Sequence, residues 1–229
     1  MRIAHFVVTI LSFFALTVSA EERSNVIGIE DNPHIPLSPA DGGPRRWQVM
    51  SDRTLDVRKA PSNDAEVNAR LDAGVVVSNR GCERIDGRVW CEIGTLRKRQ
   101  RGHVPADALV PAIGPDGTLP VGVDDSPARA RAGKFDADGR IPCAQERGQM
   151  IGECTAGVAR GNGGDATIVV SFANGFKRTL TFVHGEFVSA SATMSGTGAD
   201  HDWKEEGGLH IIRVDDQRYE LPTELVFGP

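Results

Sequence analysis

The sequence predicts a mainly β chain, a small barrel followed by a second antiparallel β module, with local disulfides. Three observations predict this. The stretch Gly81-Cys-Glu-Arg-Ile-Asp-Gly-Arg-Val-Trp-Cys91 is a hairpin built on Asp86-Gly87, residue types that tolerate the positive φ of a type I′ turn. Short apolar or alternating runs recur at close spacing on both sides of it. In residues 134–229 no window offers helical periodicity over ten residues.

The hairpin carries the most information. Counting outward from the turn, Ile85 faces Arg88, Arg84 faces Val89, Glu83 faces Trp90 and Cys82 faces Cys91. The last pair falls on a non-hydrogen-bonded position, where opposing side chains lie closest and within disulfide reach. Four cysteines read as two disulfides in an oxidising compartment. Three connectivities are open. Local pairing, Cys82 with Cys91 and Cys143 with Cys154, is preferred because each pair sits within one predicted module.

The rest follows in chain order. Residues 1–20 carry Arg2, an apolar run from Phe6 to Val18, and Val-Ser-Ala20 before two glutamates, the pattern of a cleavable signal peptide. The run falls short of the roughly 20 apolar residues of a spanning helix, and no later stretch would span a bilayer. A periplasmic protein is expected. Residues 21–45 hold Pro33, Pro36, Pro39 and Pro44 with few apolar residues, and read as an unstructured tether.

Residues 46–112 supply the barrel: Trp47-Gln-Val49, Leu55-Asp-Val57, Val67 to Leu71, Val75 to Val77, the hairpin, and Gly102-His-Val104. Within it, Thr54-Leu-Asp-Val-Arg-Lys-Ala-Pro-Ser62, Val67-Asn-Ala-Arg-Leu-Asp-Ala-Gly-Val75, Arg88-Val-Trp-Cys-Glu-Ile93 and Gly102-His-Val-Pro-Ala-Asp-Ala-Leu109 form an ordered set. The set resembles bacterial SH3 (SH3b) domains. The sequence departs from that family at Ala60, where Gly is usual, at Cys91 in place of an aromatic, and at His103 in place of Trp. The resemblance implies an SH3-like barrel that recognises peptidoglycan or an envelope protein.

Residues 113–133, with Gly-Pro-Asp-Gly117, Pro120 and Pro127, read as a linker whose Ala128–Ala132 run is too short to persist alone as a helix. Residues 134–229 read as an antiparallel meander of five or six strands with one buried face. Its hairpins are Ala166–Phe172 with Lys177–Val183 across Asn174-Gly175, and Leu209–Val214 with Gln217–Leu221 across Asp215-Asp216. His184-Gly185 turns into Glu186–Ala190. Through Ile141-Pro-Cys-Ala, Gly157-Val-Ala-Arg160 and Arg218-Tyr-Glu-Leu-Pro222, this part looks like a carboxy-terminal module of exported SH3b proteins, one that carries no assigned activity.

Candidate binding residues lie in the barrel. Val89, Cys91 and Ile93 alternate toward the core, so Trp90 points to the other face, either as a stacking platform or as packing beneath the loop from Lys59 to Glu66. Arg58 reads as a ligand cation or as a pin for that loop. His103 stands on the closing strand. Arg97, Arg99 and Arg101 belong to a basic turn that would meet an anionic wall polymer, lipid headgroups or an acidic partner face, or would be a solvated tip. If Trp90 is a platform, its truncation should remove binding and leave stability nearly unchanged.

Charge excludes little. Residues 46–112 carry twelve Lys/Arg against nine Asp/Glu, net +3, and residues 132–229 nine against fourteen, net −5. Neither value implies nucleic acid. Asp200-His-Asp202 is too compact to hold zinc, Asp136-Ala-Asp-Gly139 lacks the later ligands of a calcium loop, and Gly161-Asn-Gly-Gly164 lacks the Lys-Ser/Thr of a phosphate loop. No cofactor or metal is expected, and no catalytic elbow or free thiol. The expected function is non-catalytic binding. The alternative is a protein-directed regulator, an inhibitor of an envelope hydrolase or an adaptor.

Overall fold

The computed structural model describes residues 36–50, 54–97, 100–192 and 200–228. The signal-peptide expectation and the tether up to residue 35 lie outside the described residues, as do Lys98 and Arg99.

Seven strands form the first sheet: β1 (Arg46–Val49), β2 (Leu55–Arg58), β3 (Val67–Leu71), β4 (Val76–Ile85), β5 (Arg88–Thr95), β6 (Arg101–Pro105) and β7 (Leu109–Pro111). Their order is β3-β2-β6-β5-β4-β1-β7, each neighbour antiparallel. Trp47, Val57, Val77, Cys91, Ile93, Val104 and Leu109, drawn from six of these strands, meet in one buried cluster. A single sheet can enclose its own core only by curling, and this one is nearly barrel-shaped.

The predicted hairpin is present residue for residue. Cys82 pairs with Cys91, Glu83 with Trp90, Arg84 with Val89 and Ile85 with Arg88, across Asp86 and Gly87 at φ 49° and 84°. The disulfide joins Cys82 and Cys91. Beyond the cysteines lies a feature the sequence pattern did not reveal. A bulge between Asn79 and Cys82 sets one extra residue in β4 against β5, with Gly81 at φ 117°. It switches the alternation, so that Val77, Asn79 and then Cys82 all turn toward the core side. Glycine is also required at 102, where a Cβ would lie 2.5 Å from Val57 Cγ1.

The second sheet has eight strands, a correction to the five or six expected. They are β8 (Ala137–Ala144), β9 (Gly152–Arg160), β10 (Ala166–Ser171), β11 (Lys177–Val183), β12 (Glu186–Ala190), β13 (His201–Glu206), β14 (Leu209–Val214) and β15 (Gln217–Pro222). The order is β12-β11-β10-β9-β8-β15-β14-β13, two meanders joined where β15 pairs with β8. Alternation is faint in Gly- and Pro-bearing β8 and absent from charged β13. Cys143 and Cys154 are bridged within the β8–β9 hairpin. Val158, Ile168, Leu180, Phe182, Ile212, Tyr219 and Leu221 fill the core. The sheet curls far enough to bring its two end strands together at Phe187 of β12 and His201 of β13, rings 5.5 Å apart.

Two stretches expected to be irregular are ordered by what they touch. Residues 36–45 are docked on the first sheet, where Asn79 Nδ2 donates to the carbonyls of Leu37 (2.9 Å) and Pro44 (2.7 Å). The helix α1 (Ser126–Arg131) is held by tertiary contacts. Buried Ser126 bonds Asp124 (2.9 Å) and Thr167 (3.1 Å), and Arg129 pairs with Asp125 (3.0 Å) and Asp136 (2.7 Å).

The segment between the modules clasps them together. Asp116 accepts the N–H groups of Gly163 (2.7 Å) and Gly164 (3.2 Å). Burial pushes its carboxyl up, but these bonds and those from Thr118 outweigh it, and the net displacement is below the ordinary value. Gly114 lies against Gly163 backbone to backbone, since a Cβ on Gly114 would lie 2.2 Å from the Gly163 Cα. At the centre, Arg46 of β1 bonds Asp165 beside β10, both buried. Burial, reinforced by Arg45, brings Arg46 down to about 10.

Candidate functional site

The outer face of the first sheet carries most of the residues singled out in the sequence. Trp90, His103, Arg58 and Arg101 project from it, because Trp90 pairs with Pro105, Glu92 with His103, and His103 with Arg58. Their roles differ. Trp90 is only 3 % exposed, so it is no open platform. It floors a cavity of about 180 Å³ walled by Pro61, Ser62, Asn63 and Asp64 on one side and Ile85, Asp86 and Arg88 on the other. The expectation that truncating Trp90 spares stability is therefore corrected: the ring is packed under the loop.

Arg88, absent from the sequence-based set, lines this cavity. Its guanidinium lies 5.4 Å from the Trp90 ring centroid, donates to Asn63 (3.0 Å) and pairs with Asp107 (2.8 Å). Its charge is thereby neutralised. Asp64 and Asp86 enter no ion pair among the described residues, which leaves the rim negative. The local signal for these residues was the turn chemistry of Asn63-Asp64 and Asp86-Gly87. That chemistry predicts loops, and says nothing of two loops meeting.

Arg58 is spent internally. Its Nη1 donates to the Ala65 carbonyl (2.8 Å), and its Nη2 stands 3.6 Å from Asp56, which pins the loop that walls the cavity. His103, half-buried, stands beside Arg58 and Glu92, outside the cavity lining, and its Nδ1 is buried with no partner among the described residues. Arg101 is exposed, and its carbonyl accepts from Asn68 Nδ2 (2.9 Å).

Arg97 turns away from this face. It pairs with Glu186 of β12 (2.9 Å), and its guanidinium lies 4.6 Å from the Trp203 ring centroid. This residue ties the first module to the second. Beneath it, Trp203 Nε1–H donates to His210 Nδ1 (3.2 Å), and the two rings stack at 5.9 Å. The bond requires a neutral His210 protonated on Nε2, and burial lowers its pKa, with Glu205 opposing. A second cavity of about 180 Å³ opens here, lined by Arg97, Phe187, Val188, His201, Asp202 and Trp203.

Both cavities are smaller than the ~300–1,000 Å³ usual for small-molecule sites. Each has room for one side chain or one small group of a larger partner. Among the described residues no group of three or more His, Cys, Asp and Glu is placed to hold a metal ion. No helix among them is long and apolar enough to cross a membrane. The two disulfides are compatible with an oxidising, exported compartment. No family model, curated protein or solved structure matches the chain.

Proposed function

We propose that this chain is a non-catalytic binding protein of the bacterial envelope, whose first module recognises peptidoglycan or an envelope protein in the periplasm. One observation carries the reading. The first and third of the four segments that resemble SH3b domains meet at a single cavity, Pro61 and Ser62 from one and Arg88 and Trp90 from the other. The charge of the rim refines it. With Arg88 held by Asp107, the negative Asp64 and Asp86 favour an ammonium-bearing or neutral polar group over the anionic polymer that the basic turn suggested.

The test leaves Trp90 in place, because the ring is structural. Ser62→Trp fills the cavity from an exposed loop position. Loss of co-sedimentation with purified sacculi at unchanged melting temperature supports the reading, and undiminished sedimentation removes the cavity from the mechanism. If wild-type protein ignores sacculi but is retained in a pull-down from periplasmic extract, the target is an envelope protein.

A further inference from the structure

The strand β13 is the end of the second sheet, bonded to β14 on one side only. Its turn, Gly207-Gly208 at φ 60° and 77°, makes Glu206 and Leu209 a hydrogen-bonded pair. By alternation, Lys204 and Asp202 also bond to β14, and the backbone groups of Trp203 and Glu205 point away from it. The structure agrees: the Trp203 N–H is bonded by the Asp202 carboxylate (2.9 Å). The Glu205 N–H and C=O have no partner among the described residues.

This edge is acidic. Residues 200–206 hold Asp200, Asp202, Glu205 and Glu206 against Lys204, four negative charges and one positive, net −3; Arg213 pairs with Asp200 (3.1 Å) and Lys204 with Glu206, so Asp202 and Glu205 are the acids without an ion pair among the described residues. Five of its six strand residues are exposed. Like charge opposes pairing of this edge with the same edge of another copy. A second observation points to what it accepts. On the adjoining surface the guanidinium of Arg97 already rests against Glu186 and the Trp203 ring, a cation held by an acid and an aromatic face. The cavity beside it, between Phe187, Val188 and Trp203, would receive one further side chain.

We propose that β13 is a docking edge for a basic, extended segment of a partner protein, which adds a strand beside Glu205, sets cationic side chains against Asp202 and Glu206 on one face, and turns the alternate apolar ones to the face of Trp203 and Glu205. This second site is separate from the Trp90 cavity, and it gives the second module a role that the proposal above leaves open.

The probe is a capped ten-residue peptide alternating Lys and Val, titrated into the full exported chain. Expected are binding that weakens with added salt, amide-exchange protection of about tenfold or more at Glu205, and an affinity loss of about tenfold or more for the Asp202→Lys/Glu206→Lys variant, whose two changes lie on the face the peptide's lysines meet. The same peptide N-methylated at alternate residues should lose binding too, because the contact is made through main chain. Equal binding by the N-methylated peptide, equal binding by a Glu-Val peptide, or protection that bypasses Glu205 would each overturn the proposal. Ser62→Trp should leave this binding unchanged, which separates the two sites.

Discussion

Arg46 of the first module and Asp165 of the second form an ion pair closed off from water, their side chains 3 % and 4 % exposed. Asp165 also accepts the His184 N–H (3.1 Å) and lies 3.5 Å from Arg45. A buried pair of this kind adds little net stability over an apolar pair, but removing one partner strands a charge. Asp165→Ala should therefore cost about 3–5 kcal/mol. It should also split one unfolding transition into two, because the clasp between the modules is what Asp165 supports. Urea unfolding followed by the tryptophans of each module checks this, and a single undisturbed transition would contradict it. The double change Arg46→Met/Asp165→Leu should recover much of the loss.

Trp90 packs under the loop that Arg58 holds. Trp90→Ala should destabilise the chain by about 3–5 kcal/mol, the cost of emptying a buried aromatic site. Trp90→Phe, which keeps most of the volume, should cost less than half of that. Denaturant midpoints of the two variants decide the matter, and a midpoint for Trp90→Ala within error of wild type would contradict a structural role for the ring.

The disulfides close short loops, with sequence separations of 9 and 11. Chain-entropy reasoning assigns each about 2–3 kcal/mol. Cys91 and Cys143 are also buried, so alanine at either adds a packing loss. Reduction should lower the guanidinium midpoint in two separable steps, one abolished by Cys82→Ala/Cys91→Ala and the other by Cys143→Ala/Cys154→Ala. Coincident loss of both steps in one double variant would mean that the pairing is not local.

Arg97 should matter less than its position suggests. Its contacts with Glu186 and Trp203 are solvent-exposed, the Arg97 and Glu186 side chains being 54 % and 38 % accessible. Such contacts contribute about 1 kcal/mol or less and fade with salt. Arg97→Ala should leave the midpoint within that margin. A larger loss would mean that the modules depend on this tie and not on Arg46 and Asp165.

What was legible in the sequence was local. Asp86-Gly87 determined a turn, the turn determined a register, and the register placed Cys82 against Cys91. Each step needs only residues within one hairpin. The same logic found Asn174-Gly175, His184-Gly185 and Asp215-Asp216. It missed β13, whose charges mask any alternation, and β8 and β9, whose Gly139, Pro142, Gly152 and Gly157 weaken it. It also missed every feature made by segments far apart in the chain: Asp165 waiting for Arg46, Gly114 against Gly163, Arg88 between Asn63 and Asp107. A buried arginine leaves no periodic trace, because the partner that permits its burial is 119 residues away.

His210 links protonation to stability. The ring is fully buried, and its Nδ1 accepts from Trp203, so a second proton would break that bond and bury a cation. Burial lowers its pKa, against a weaker raising effect from Glu205. The unfolded chain takes up this proton near pH 6.5, and the folded chain only at lower pH. Below about 6.5 the unfolded state holds more protons, so stability falls as pH falls toward the folded value. His184, lowered first by burial and then by Arg46, contributes in the same direction. The carboxyls of Asp116 and Asp136, both held below their ordinary values, act only in a more acid window, below about pH 4. His210→Gln keeps an acceptor for the indole and removes the titration. The melting temperature of wild type should drop between pH 7 and pH 5, and that of His210→Gln should drop less, the remainder belonging to His184. Parallel curves for the two proteins would mean that His210 does not govern the acid limb.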